Sequence, residues 1–126
     1  MSLPERVRAR YRTELTRVGE TVTVRRYAGK GPARAVAQEA AAKCRIVGYQ
    51  PSEIVGAVQQ GDRKVILLID PTAAVASGQV ALSTMLPLTS DDKLVISGRE
   101  VAIQGVDDQT RSIQGVVIAL EIQVRG

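Results

Sequence analysis

Gly48-Tyr49-Gln50-Pro51-Ser52-Glu53-Ile54-Val55-Gly56-Ala57-Val58-Gln59-Gln60-Gly61-Asp62-Arg63-Lys64 runs straight into Val65-Ile66-Leu67-Leu68-Ile69-Asp70. A polar loop punctuated by Pro and Gly gives way to a short apolar run. Such a run, bounded by turn residues, reads as a central β-strand over Arg63–Ile69 that is apolar on both faces. The loop before it places Ile54, Val55 and Val58 beside Pro51, Gly56 and Gly61. Apolar residues in a Gly-rich loop are poor choices for facing solvent unless something covers them. Tyr49, Gln50, Pro51, Ile54, Val55, Val58 and Gln60 are therefore the candidate partner interface; an inert surface connector is the alternative.

Outward from this stretch, β patterns dominate. Thr21–Tyr27 alternates and is rich in β-branched residues. Ala28-Gly29-Lys30-Gly31-Pro32 breaks it. Residues 33–44 are Ala-rich, which favours helix by propensity, but Lys43–Tyr49 reads as strand, and extended structure is expected from about residue 35. Lys93–Ser97 and Arg99–Val106 form a hairpin around Ser97-Gly98, with Val101 and Ile103 on one face. Asp107-Asp108-Gln109-Thr110 is a turn. Ile113–Val124 is expected to be the longest strand, with Val116, Ile118, Leu120, Ile122 and Val124 on one face; it would extend roughly 40 Å. A strand of that length normally bends and serves two parts of a small barrel.

The N-terminal segment is helical instead. Ser2 and Glu5 form a capping box, with Pro4 in the first turn. Leu3, Val7, Tyr11, Leu15 and Val18 make a stripe roughly 120° wide that must dock on the domain or on a partner. Gly19 stops the helix at the C′ position. Asp70 to about Asp92 has a weak pattern, interrupted by Pro71, Gly78 and Pro87, with room for a helical turn near Thr72–Ser77. A stretch this long without structure is usually functional or mobile. The expected fold is mainly β: a small, mostly antiparallel barrel of five or six strands with one N-terminal helix and long loops. It forms one domain over residues 1–126, with the helix at 1–19, the barrel at 20–126, and loops at 49–62 and 72–92.

Composition narrows the chemistry. The 126 residues include no Phe, Trp or His, and the only aromatics are Tyr11, Tyr27 and Tyr49. The core must be built from Val, Ile, Leu and Ala. Without His, triads lose their usual base and metal sites their commonest ligand. Cys44, the one cysteine, excludes an internal disulfide and CxxC motifs, and reads as a structural thiol. Gly29-Lys30-Gly31-Pro32 lacks the phosphate-loop spacing and reads as a turn. Asp91-Asp92 and Asp107-Asp108 sit at turns and do not suggest convergence on a metal or a scissile bond. No enzyme activity, cofactor or metal is expected. No export signal or membrane span is expected either, since Val65–Ile69 is far too short to span a bilayer.

Charge is concentrated at one end. The net charge is +4, but residues 1–30 carry eight cations against three anions, and the remainder is at −1. Arg6, Arg8, Arg10 and Arg12 are the best nucleic-acid candidates. Their spacing of two scatters them around a helix, and no aromatic reading platform accompanies them. They form a solvated helix face, or they contact an acidic partner or DNA phosphates. A small basic nucleic-acid-binding barrel is thus the alternative function.

Several blocks taken together resemble a family. Thr21–Tyr27, Gly48–Gly56, Gln60–Leu67, Ile96–Val101 and Leu120–Gly126 are similar, in order, to small neck proteins of tailed bacteriophages and prophages. The resemblance covers most of the chain beyond residue 20, less clearly 72–92, and departs at the Ala-rich residues 35–42. It implies a head–tail joining protein, also called a head completion or stopper protein. Such a protein would bind the portal or its adaptor as a ring, help close the DNA channel and present a surface to the tail. It would be a monomer when isolated, with DNA only as passing cargo. It would sit in the virion neck and assemble in the bacterial host cytoplasm. A ring subunit also calls for strand edges available for pairing. The Tyr49–Gly61 loop would dock on the connector or an adjacent subunit, the Thr72–Asp92 segment would face the channel, and either would order only on assembly. No catalytic set accompanies the family.

Overall fold

The computed structural model describes residues 2–56 and 58–126. Helix α1 (Leu3–Val18) is followed by β1 (Glu20–Ala28), β2 (Ala35–Gly48), β3 (Arg63–Leu68), β4 (Lys93–Ile96), β5 (Arg99–Asp107), β6 (Ser112–Ile113), β7 (Val116–Val117) and β8 (Ala119–Arg125). Six strands close into an antiparallel barrel in the order β1-β2-β3-β8-β5-β4, and β6 and β7 form a separate two-stranded ribbon. Among the described residues no helix is long and apolar enough to cross a membrane.

Alternation along each strand fills the barrel with branched aliphatics. Val22 and Val24, Val65 and Leu67, Leu94 and Ile96, Val101 and Ile103, and Leu120, Ile122 and Val124 are all buried in one cluster. Each such side chain contributes about 1.5–3 kcal/mol when buried, so the core does without large aromatics. Cys44 lies in the same cluster and is fully buried. Removal from water, with the nearby Glu20 charge second, pushes its thiol up to about 12; it is an inert core group.

The longest strand is β2, not the C-terminal one. Its first part pairs with β1, from Ala35↔Ala28 to Cys44↔Glu20, and its second with β3, from Cys44↔Leu67 to Gly48↔Arg63. The Ala-rich residues are therefore strand. Alanine at 40 and 42 takes up little volume on the inner face, and Leu82 and Met85 pack into the same cluster. The expected strand over Ile113–Val124 is broken instead. Gln114 (φ 52°) and Gly115 (φ 79°) make a tight β6–β7 turn with both central residues left-handed. Val116 is consequently exposed, while Ile118 joins a second cluster with Leu15 and Leu68. The Ser97-Gly98 turn has the same left-handed pair, at φ 51° and 77°, as the hairpin signal implies.

The second cluster docks α1 on the outside of the barrel: Leu15, Leu68 and Ile118 are buried, with Val7, Tyr11 and Ile113 packed around them. The capping box holds, with Glu5 N–H donating to Ser2 Oγ (3.3 Å) and Ser2 N–H to Glu5 Oε2 (3.1 Å). Gly19 ends the helix, but in an extended rather than left-handed conformation (φ −104°). Its glycine has a different cause: a Cβ there would run into the carbonyl oxygens of Cys44 and Leu15. The helix end and β2 approach too closely for any side chain.

The chain's edges and its longer loop follow from this closure. The six strands close on one another, yet β2 pairs with β3 only from Cys44 onward and β1 with β4 only over Thr23–Arg25, so stretches of β1 and β2 keep one side without a strand partner, as does the β6–β7 ribbon. The segment from Thr72 to Asp92 is not a free loop. It carries a 3-10 turn at Leu82–Met85, none at Thr72–Ser77, and Leu82, Met85 and Leu88 are core residues.

Candidate functional site

The Tyr49–Gly61 loop projects from the barrel and is built at both feet. At the first, Pro51–Glu53 forms a 3-10 turn, and Gln50 N–H donates to Glu53 Oε1 at 2.8 Å. Glu53 also meets Lys64 Nζ at 3.3 Å, and that ammonium lies 5.3 Å from the centre of the Tyr49 ring. The Gln50 N–H, then Lys64, hold the Glu53 carboxyl below its ordinary range. At the second foot Asp62 is buried. Its carboxylate accepts Arg125 Nε–H (2.8 Å) and an Nη–H (2.9 Å), Gln123 Nε2–H (2.8 Å) and Gln59 N–H (3.0 Å). The Arg125 bonds foremost hold the Asp62 carboxyl well below its usual range.

Between these feet the loop turns outward. Val55 is 70% exposed, Ile54 and Val58 are half-buried, and Tyr49 is half-buried against its neighbours. Gln50, Pro51 and Gln60 are exposed. The apolar tip is thus one side chain, Val55, rather than three. Gly56 (φ 59°) and Gly61 (φ 94°) supply the left-handed backbone that the reversal needs. Ala57 lies outside the described residues. Contacts within the chain fasten both feet of the loop.

The basic end is divided in function. Arg8 donates through Nε to the Ile69 carbonyl (2.8 Å) and through an Nη to the Val117 carbonyl (3.2 Å). Arg12 grips Asp70 with two bonds, at 2.7 and 2.9 Å, and reaches Thr72 Oγ1 at 3.1 Å. Those two side chains bolt α1 to the barrel. Arg6 and Arg10 remain exposed. The Asp70 carboxyl is held well below its usual range, chiefly by Arg12.

Neither Asp pair forms a convergent site. Asp92 is buried and receives both Arg26 bonds (2.8 and 3.0 Å) and the Thr89 N–H, while Asp91 is exposed. Asp107 accepts the Gln109 and Thr110 N–H groups as a turn former. Among the described residues no group of three or more His, Cys, Asp or Glu is placed to hold a metal ion. The Asp62–Arg125 and Asp92–Arg26 clamps were not readable in sequence, because their partners lie more than sixty residues apart.

Comparison of the chain with protein-family models, curated protein sequences and solved structures finds no match.

Proposed function

We propose that this protein works as a structural subunit of a phage or prophage neck, joining head to tail by fitting onto the portal or adaptor connector as a ring and helping to close the DNA channel. The reading rests on the ordered set of blocks that resemble head–tail joining proteins. The observation that carries it in three dimensions is the Tyr49–Gly61 loop. An apolar side chain, Val55, is held out in solvent at the tip of a loop whose feet are fastened by Glu53–Lys64 and Asp62–Arg125. A preformed loop of this kind binds without a large ordering cost. The loop would seat on the connector or an adjacent subunit, with the portal, adaptor and tail proteins as partners, no membrane role, and no bond made or broken.

A nucleic-acid-binding barrel has less to stand on. Arg8 and Arg12 are occupied by the chain's own carbonyls and Asp70, leaving Arg6 and Arg10 of the run for phosphates. The deciding experiment mixes the purified chain with its portal–adaptor complex and images the product by electron microscopy. Rings joined to the connector, lost in Val55→Asp, support the neck function. Failure to join, with DNA binding that weakens steeply in salt, overturns it.

A further inference from the structure

The stripe on α1 is longer than the surface it covers. Leu15 is buried against Leu68 and Ile118, but Val18 is 43% exposed. Beside Val18 a groove of about 320 Å³ opens between the helix and the outer face of β2 and β3, lined by Tyr11, Val18, Ile66, Arg10 and Arg45 among others. Its floor is apolar. Its two walls carry guanidinium groups, Arg10 from the helix and Arg45 from β2, both exposed. Other charges at the groove are already matched: Glu14 pairs with Arg17 at 2.8 Å, and Arg111 pairs with Glu121 at 2.8 Å and donates to Tyr11 Oη at 2.6 Å. Among the described residues, Arg10 and Arg45 have no carboxylate within salt-bridge distance.

We infer that this groove is a docking site for an acidic, amphipathic segment of another protein, its apolar side chains on Tyr11, Val18 and Ile66 and its carboxylates between Arg10 and Arg45. Complementary charge across a groove steers encounter and excludes wrong partners, and an apolar strip flanked by charge is how amphipathic segments are read. Nucleic acid fits less well. Two guanidiniums do not make a phosphate track, the floor is aliphatic apart from one tyrosine, and Glu14 stands on the rim. The groove is separate from the Tyr49–Gly61 loop, and its role does not depend on the neck reading.

The test uses the full isotope-labelled chain and nuclear magnetic resonance. Three probes are titrated: a short amphipathic peptide of leucine, alanine and glutamate, its twin with lysine for glutamate, and single-stranded oligothymidine. The expected result is saturable shifts confined to amides around Arg10–Val18, Arg45 and Ile66 with the glutamate peptide. The lysine twin should bind about tenfold more weakly or worse. An R10E/R45E variant should reverse that preference, and Val18→Asp should abolish both; R10E alone gives the same direction at half the charge change should the double variant not fold. Absence of groove shifts with the glutamate peptide, equal response to the two twins, or stronger groove shifts with oligothymidine overturns the assignment.

Discussion

Two loops of this protein look alike in sequence and are held to the barrel differently. Both Tyr49–Gly61 and Asp70–Asp92 are punctuated by Pro and Gly and carry scattered apolar residues. The second is stitched into the barrel: Val80 N–H donates to the Glu39 carbonyl on β2 (2.9 Å), Leu82, Met85 and Leu88 enter the core, and Asp92 is clamped by Arg26. The first is fastened at its feet and puts none of its described residues into the core, leaving Val55 outside; the second also exposes Val75 in its first part but buries its second part. Loop length and turn residues therefore say little about whether a segment is free. What decides is whether the barrel has space for its side chains, and Leu82, Met85 and Leu88 find that space in the cluster that holds the small Ala40 and Ala42 of β2.

That contrast can be broken by substitution. Met85→Ala removes a fully buried side chain and should cost about 2–5 kcal/mol, read by chemical denaturation. A cost near zero would mean that the segment is free after all. Asp92→Ala strips Arg26 and the Thr89 N–H of their shared acceptor and should cost about 2 kcal/mol, again as a fall in unfolding free energy with an unchanged denaturant slope.

Acid should release one end of each loop. Asp62 and Asp70 both have carboxyls held below their ordinary value of 3.8. Their contribution is fully present above that value and is lost as pH falls below it toward the lower folded-state values. The melting temperature should therefore drop below about pH 4, and Asp62→Asn and Asp70→Asn should each flatten the drop. An unchanged acid profile in both variants would show that these clamps contribute nothing.

The smallest effect on stability belongs to the exposed tip. Val55→Asp should change unfolding free energy by no more than about 0.5 kcal/mol, while joining to the connector is lost. A folded Val55→Asp protein that still assembles would remove the loop from the interface.

Elements with local signals were legible. The capping box, the Ser97-Gly98 turn and the apolar run Val65–Ile69 each carry their geometry in neighbouring residues. The break at Gln114-Gly115 was hidden, because the β-branched residues around it read as one continuous strand and Gln is a less usual turn former than Asn or Asp. Of the candidate interface, the loop and its glycines could be read. The exposure of Val55 against the half-burial of Ile54 and Val58 could not, since it depends on where the barrel surface lies.

The N-terminal helix, the strands up to Asp107, the aliphatic core and the polarity of the basic end follow from the sequence by itself, because periodicity, propensity and turn chemistry act over a few residues. Which arginines are spent inside the molecule and which stay exposed was decided only by the tertiary structure. Arg8 and Arg12 find their acceptors on strands and turns far along the chain, while Arg10 and Arg45 are brought to one groove from two elements. Charges on a flexible side chain take whichever partner the fold places within reach.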